Sequence, residues 1–209
     1  MKKLLVIICF LIGAATFAQT DYEKGMQKAF DLWEEGKNME ASNLFERIAN
    51  AEKDNWLPSF YGAQVLIFKA FDEKDKEKLT TILNRALNLL NMAKTFSPEN
   101  NVEIMVAEAQ YYSAWIAFDG MTYGMKYAGK VVSLYQKASI LAPDNPRVVM
   151  GKAEWDMGSA QFMGGDPSDY CKDVERAIVL FGTFEPETEF HPSGGLDRAK
   201  EVLERTCKK

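Results

Sequence analysis

VVSLYQKASILAP, residues 131–143, is the stretch from which the fold of this chain is best deduced. In it Val131, Tyr135, Ala138 and Pro143 stand at offsets of 0, 4, 7 and 12 residues. All four offsets recur 45 positions upstream, and the first three recur again another 45 positions upstream. The residues at the recurring offsets are Ala86, Leu90, Ala93 and Pro98, and then Ala41, Phe45 and Ile48. A period of this length with helical spacing inside each unit is typical of stacked helix pairs.

Apolar residues at steps of three and four extend this pattern over the rest of the chain. Residues 56–71 are apolar almost all round, which predicts a helix packed on several sides. Asn145 followed by proline predicts a helix start, whereas the glycines within 119–126 predict a looser linker. Residues 196–203 form a last amphipathic segment. We therefore predict an all-α fold, an αα-superhelix of about four helix pairs closed by a C-terminal capping helix.

Composition and charge restrict the classes of function. The chain has 209 residues, of which 47% are hydrophobic, so it is large enough for one domain with a sizeable core. The formal net charge is −5, and no cluster of Lys and Arg is present. Binding to a nucleic-acid backbone depends on such clusters, so we expect no nucleic-acid partner.

The N-terminus has the pattern of a signal peptide over residues 1–18. Lys2 and Lys3 precede an apolar run, residues 4–12, and a Thr-Phe-Ala triplet then places small residues before the expected cleavage site. The mature chain, residues 19–209, contains no later run apolar and long enough to span a membrane. We expect an exported protein, located in the periplasm rather than released, although the sequence leaves release open.

The repeated stripe resembles the second helix of a tetratricopeptide repeat. Its pattern of Ala, three residues, Phe or Tyr, two residues, Ala, four residues and Pro is represented by Tyr135, Ala138 and Pro143. A period of 45 residues is longer than that of the usual repeat, about 34 residues. The Trp, Leu and Gly positions of the first helix also match poorly. The resemblance therefore implies a divergent, tetratricopeptide-like array.

Three further segments are similar to small exported tetratricopeptide-like proteins of Bacteroidetes bacteria. They are NWLPSFYGA at 55–63, PDNPRV at 143–148 and FMGGD at 162–166. This resemblance covers most of the mature chain and implies a helical-repeat fold and export, without implying a biochemical activity. Members of the group tend to carry Pro-x-Trp-Gly before the last helix, where residues 192–195 here read PSGG.

The mature chain keeps two cysteines, Cys171 and Cys207. In an oxidising compartment such a pair is a disulfide candidate, and Cys207 at the end of the last helix could fasten that helix to the fourth pair. The alternative is that Cys171 is a small buried residue on an apolar helix face, since it shares helical spacing with Val174 and Ile178.

Catalytic and metal-binding motifs are not evident in the sequence. His191 is the single histidine and lies in a loop between Phe190 and Pro192, and no Gly-x-Ser-x-Gly motif is present. A metal site built from His191 with the two cysteines would lack the short paired spacings of zinc modules. We therefore predict a protein that is not an enzyme and that has no cofactor, metal site or catalytic residue.

Aromatic residues are the candidate binding groups. First helices usually line the concave surface of a helix-pair array, where Tyr and Trp make good amphipathic contacts. The candidates are Phe68, Tyr111, Tyr112, Trp115 and Trp155. We predict an exported interaction protein that binds an unidentified protein or peptide in its concave groove. The alternatives are that a small apolar or aromatic ligand lies between the helices near Trp115 and Trp155, or that these aromatic residues pack within the core.

Overall fold

The computed structural model describes residues 20–208, which form nine α-helices and no β-strand. A 3₁₀ turn, Pro167–Tyr170, precedes α8, and a π turn, Leu203–Cys207, follows α9. The helices are α1 Asp21–Glu34, α2 Asn38–Ala51, α3 Leu57–Phe71, α4 Lys76–Phe96, α5 Val102–Phe118, α6 Gly120–Leu141, α7 Pro146–Met163, α8 Cys171–Thr183 and α9 Leu196–Val202.

Eight of these helices form four antiparallel pairs, and α9 follows as a cap on α8. The first pair joins the second through α2, which packs against α3, whereas the later pairs are joined through their first helices, because α3 packs against α5 and α5 packs against α7. This confirms the predicted αα-superhelix of four pairs with a C-terminal cap. The signal-peptide prediction lies outside the described residues, as does the start of the mature chain at residue 19.

Local sequence signals set many helix ends. Thr20 and Glu23 form a reciprocal capping box, in which the Glu23 N–H donates to Thr20 Oγ1 and the Thr20 N–H donates to Glu23 Oε2. The Asn145 side chain caps α7, whose first residue is proline. Gly36 and Gly164 adopt positive φ angles of 75° and 81° just after α1 and α7, where residues with a Cβ are disfavoured.

The third pair corrects one prediction. Residues 119–126 are not a loose linker, since α6 begins at Gly120 and Asp119 alone separates it from α5. The Asp119 carboxylate accepts a hydrogen bond from the Thr122 N–H and so caps α6. Helix α6 tolerates its glycines because Tyr123 and Tyr127 continue the inward-facing row and pack on α5.

Helix α3 lies at the centre of the main core, as its apolar sequence predicted. Every residue from Leu57 to Ile67 is buried. The helix packs against α2, α4 and α5, so it has no face left for solvent along most of its length. None of the helices within residues 20–208 is both long enough and apolar enough to cross a membrane.

The segment between α8 and α9, residues 184–195, crosses back to the first pair, and we call it the strap. Phe190 is only 8% exposed and belongs to the core formed by α1 to α5. Its carbonyl accepts a hydrogen bond of 2.9 Å from Tyr61 Oη, and its ring lies 5.6 Å from that of Tyr22. The strap therefore connects the fourth pair to the first.

Two further connections hold the fourth pair and the cap. Glu103 on α5 is only 2% exposed. Its carboxylate accepts two hydrogen bonds of 2.5 Å from Arg147 and a third from the Asn145 side chain. The Arg147 guanidinium in turn lies 4.4 Å from the ring centroid of Phe184 in the strap. Cys171 and Cys207 are joined by a disulfide, which links the start of α8 to the end of the chain.

Candidate functional site

Aromatic side chains gather in the third pair near the turn that joins α5 to α6. Tyr111, Tyr112 and Trp115 on α5 face Tyr123 and Tyr127 on α6, and we call these five residues the aromatic cluster. Tyr112 and Tyr127 have ring centroids 5.0 Å apart, and those of Trp115 and Tyr123 are 4.9 Å apart. The rings of Tyr123 and Tyr127 are nearly parallel at 5°. Such offset arrangements stabilise one another and give a broad aromatic surface.

Burial decreases across the cluster from α5 to α6. Tyr111 and Trp115 are 6% and 7% exposed, whereas Tyr112, Tyr123 and Tyr127 are half-buried. Burial raises the pKa of Tyr111, which the neighbouring Trp115 indole partly opposes. The inner members are thus parts of the core, and the outer three are partly exposed to solvent.

Two lysines flank the outer tyrosines. Lys126 Nζ lies 4.9 Å from the ring centroid of Tyr127, and Lys130 Nζ lies 4.9 Å from that of Tyr112. Both lysines are exposed, and ammonium groups at these distances interact favourably with aromatic rings. One edge of the cluster is therefore cationic, although the chain as a whole is acidic.

On the other side, α7 contributes an exposed apolar residue. Phe162 is 68% exposed, and its Cε2 would lie 3.1 Å from a Cβ added to Gly120 at the start of α6. Gly124 and Gly158 each lie one turn from this contact, on α6 and α7 respectively, and neither has a neighbouring atom within 4 Å of such a Cβ. Without these side chains the helix backbones are accessible beside the cluster.

The structure separates the candidate residues that the sequence grouped together. Tyr111, Tyr112 and Trp115 lie in the aromatic cluster, and Trp155 shares a core with Tyr112 through the residues between α5, α6 and α7. Phe68 lies elsewhere, 43% exposed, with its ring 6.0 Å from that of Trp33 on α1.

Sequence reasoning missed Tyr123, Tyr127 and the two lysines, because residues 119–126 were interpreted as a linker and the second helix was identified with residues 131–143. Their signal is the spacing of four residues that leads from Tyr123 through Tyr127 to Val131 and Tyr135. That row extends the opening segment, residues 131–143, by two helical turns.

His191 lies in the strap with its ring largely buried. Its Nδ1 is 3.8 Å from a carboxylate oxygen of Glu187, and its ring centroid is 6.2 Å from those of Trp56 and Phe184. Across residues 20–208, no three side chains of the His, Cys, Asp and Glu types are grouped so that they could hold a metal ion.

Comparison with known proteins places this fold beside one solved structure. No protein-family model and no curated protein sequence matches the chain. The structure is similar to that of the HusA haemophore from Porphyromonas gingivalis, with a TM-score of 0.76 and 21% sequence identity. The similarity covers 88% of this chain and 92% of the haemophore. The two proteins thus share their all-α superhelical fold.

Proposed function

We propose that this protein is an exported, non-enzymatic carrier of a planar, anionic aromatic ligand of the porphyrin class, bound at the aromatic cluster. The observation that carries the proposal is the half-buried surface of Tyr112, Tyr123 and Tyr127 beside Lys126 and Lys130. The solved neighbour is a haemophore, a protein that carries haem, and its similarity over most of both chains supports this choice of ligand.

Each part of such a ligand has a chemical counterpart in the site. The outer tyrosine rings offer apolar faces and edges against which a flat macrocycle can pack. Lys126 and Lys130 offer ammonium groups for propionate carboxylates, in an exposed setting where the attraction weakens with added salt. A tyrosine hydroxyl is also an established type of ligand for haem iron.

Absorbance titration with iron protoporphyrin IX tests the proposal. The wild-type chain is expected to shift the Soret band with saturation at one equivalent. Tyr127→Ala removes one packing surface and is expected to weaken binding roughly tenfold. Lys126→Gln with Lys130→Gln is expected to weaken it by roughly the same factor and to reduce its dependence on salt.

A matched control is Lys172→Gln, which removes an exposed lysine on α8 away from the cluster. Metal-free protoporphyrin IX separates packing from iron coordination, because it retains the macrocycle and propionates. Absence of saturable binding to either porphyrin, or equal binding by the Tyr127 and Lys172 variants, would contradict the proposal.

A second candidate function is recognition of a protein or peptide, which the surface near Phe68 favours. Phe68 is exposed on a first helix and lies beside the half-buried ring of Trp33. A photo-crosslinking residue in place of Phe68, used in the native envelope, tests it. Val132, an exposed apolar position on α6, serves as the control site. A discrete adduct that forms from position 68 and not from position 132 would support this function, whereas identical adducts from both positions would argue against it.

A further inference from the structure

A cleft of about 370 Å³ lies where the strap meets the N-terminal ends of α1 and α3. Tyr22 lines it from α1 and Trp56 from the residue before α3, while the strap contributes Glu187, Glu189 and His191. Its volume falls at the lower end of the range of ligand sites, roughly 300–1,000 Å³. The cleft is distinct from the aromatic cluster, which is built from the C-terminal half of α5 and the start of α6.

The charges around the cleft have one sign. Glu23, Glu187 and Glu189 line it, and no Lys or Arg does. Burial raises the pKa of Tyr22, the Asn55 side chain beside its hydroxyl opposes this rise, and the carboxylates of Glu52, Glu189 and Glu23 add to it. A negative potential therefore surrounds the Tyr22 hydroxyl, and a cation that entered would find carboxylates on more than one side.

The remaining walls are aromatic and include an unsatisfied polar atom. Trp56 and His191 meet edge to face with ring centroids 6.2 Å apart, and Tyr22 meets Phe190 in the same way. The Tyr22 hydroxyl oxygen is buried, and the Asn55 side chain lies beside it without normal hydrogen-bond geometry. The cleft thus offers a ligand aromatic surface beside carboxylates.

We propose that this cleft binds an alkylammonium group, such as the end of a lysine side chain, with its methylene stem against Trp56 and Tyr22. The ammonium has three donors, which suit the carboxylates of Glu23, Glu187 and Glu189. Aromatic rings beside carboxylates favour such a cation over a neutral stem of equal length. The ligand proposed for the aromatic cluster is an anion, so the two sites are selective for opposite charges.

The test uses Nα-acetyl-lysine methylamide as the probe and the tag-free mature chain as the protein. His191 is the single histidine of the sequence, so its imidazole proton resonances identify the cleft without ambiguity. The probe is expected to shift these resonances with saturation, whereas Nα-acetyl-norleucine methylamide, which lacks the ammonium, is not. Glu187→Gln combined with Glu189→Gln is expected to weaken probe binding at least about tenfold.

Glu175→Gln provides the matched control, because Glu175 is exposed on α8 and does not line the cleft. It should bind the probe as the wild type does. Thermal unfolding of each variant shows that the strap is still in place. The proposal is overturned if the norleucine compound shifts His191 as strongly as the lysine compound, or if the folded double variant binds the probe with unchanged affinity.

Discussion

Gly151 on α7 offers a sharp test of how the third and fourth pairs fit together. A Cβ at this position would lie 2.8 Å from Tyr135 Oη and 2.9 Å from Tyr135 Cε1. Tyr135 is 3% exposed and is enclosed by the core between α5, α6 and α7, so its ring has little room to move. We predict that Gly151→Ala destabilises the fold although alanine is the better helix former.

The expected size follows from two opposing effects. Alanine in place of glycine within a helix gains up to about 1 kcal/mol. Overpacking a filled core costs about 1–3 kcal/mol. Gly158 lies two turns further along the same helix and has no atom within 4 Å of an added Cβ, so Gly158→Ala should show the gain alone. Gly151→Ala should therefore be less stable than Gly158→Ala by about 1–3 kcal/mol.

Urea unfolding measures this difference, since the two variants should change the midpoint and not the slope. In thermal unfolding, a chain of this size shifts by about 2–4 °C per kcal/mol. Adding Tyr135→Phe to Gly151→Ala should recover only part of the stability, because Cε1 remains too close. If Gly151→Ala and Gly158→Ala prove equally stable, then α6 and α7 do not pack as described.

Three further predictions concern the buried ion pair, the disulfide and a buried phenol. Arg147→Met should lower the free energy of unfolding by about 3–5 kcal/mol, measured with urea, because it leaves the Glu103 charge buried without a partner. Adding Glu103→Leu should restore most of that loss. A smaller loss in the single variant than in the double variant would contradict this. Replacing Cys171 and Cys207 with serine should destabilise the chain by about 3–4 kcal/mol, as expected for a closed loop of some 36 residues. Mass spectrometry with and without reductant establishes whether the bond forms in exported protein. Burial raises the pKa of Tyr61, so above pH ~10 the unfolded chain loses a phenol proton that the folded chain retains, and stability should fall as the pH rises. Urea midpoints measured from pH 8 to 11 should therefore depend less on pH in Tyr61→Phe than in the wild type. An unchanged pH dependence would show that this phenol contributes none of it.

The helical architecture could be deduced from the sequence because helix signals are local. The helical spacing inside each repeat, the prolines at 98 and 143 after the second helices of the second and third pairs, and the Asn145-Pro146 start all concern residues a few positions apart. Glycine was the one misleading signal, since Gly120 and Gly124 suggested a break in what is a continuous helix. Tertiary packing of Tyr123 and Tyr127 outweighs a glycine penalty of about 1 kcal/mol per residue.

The candidate sites were less predictable, since they depend on contacts between distant parts of the chain. The sequence located Tyr111, Tyr112 and Trp115 correctly on a first helix, but periodicity alone does not distinguish a ring in a groove from a ring in the core. The structure shows Tyr111 and Trp115 buried, and it divides the half-buried part of the cluster between Tyr112 on α5 and the two tyrosines of α6.

The strap explains why the two candidate sites lie at opposite ends of the first helices. Helix α3 is buried all round over most of its length, so its N-terminal end also needs a cover. Phe190 fills that place, 129 residues along the chain from its hydrogen-bond partner Tyr61, and the strap around it carries the glutamates of the cleft. At the C-terminal end of α5 the outer tyrosines of the aromatic cluster stay half-buried, in contact with solvent. The segment that completes the core at one end thus also lines the proposed cation site, whereas the proposed site for a flat ligand lies at the other end, on the aromatic cluster.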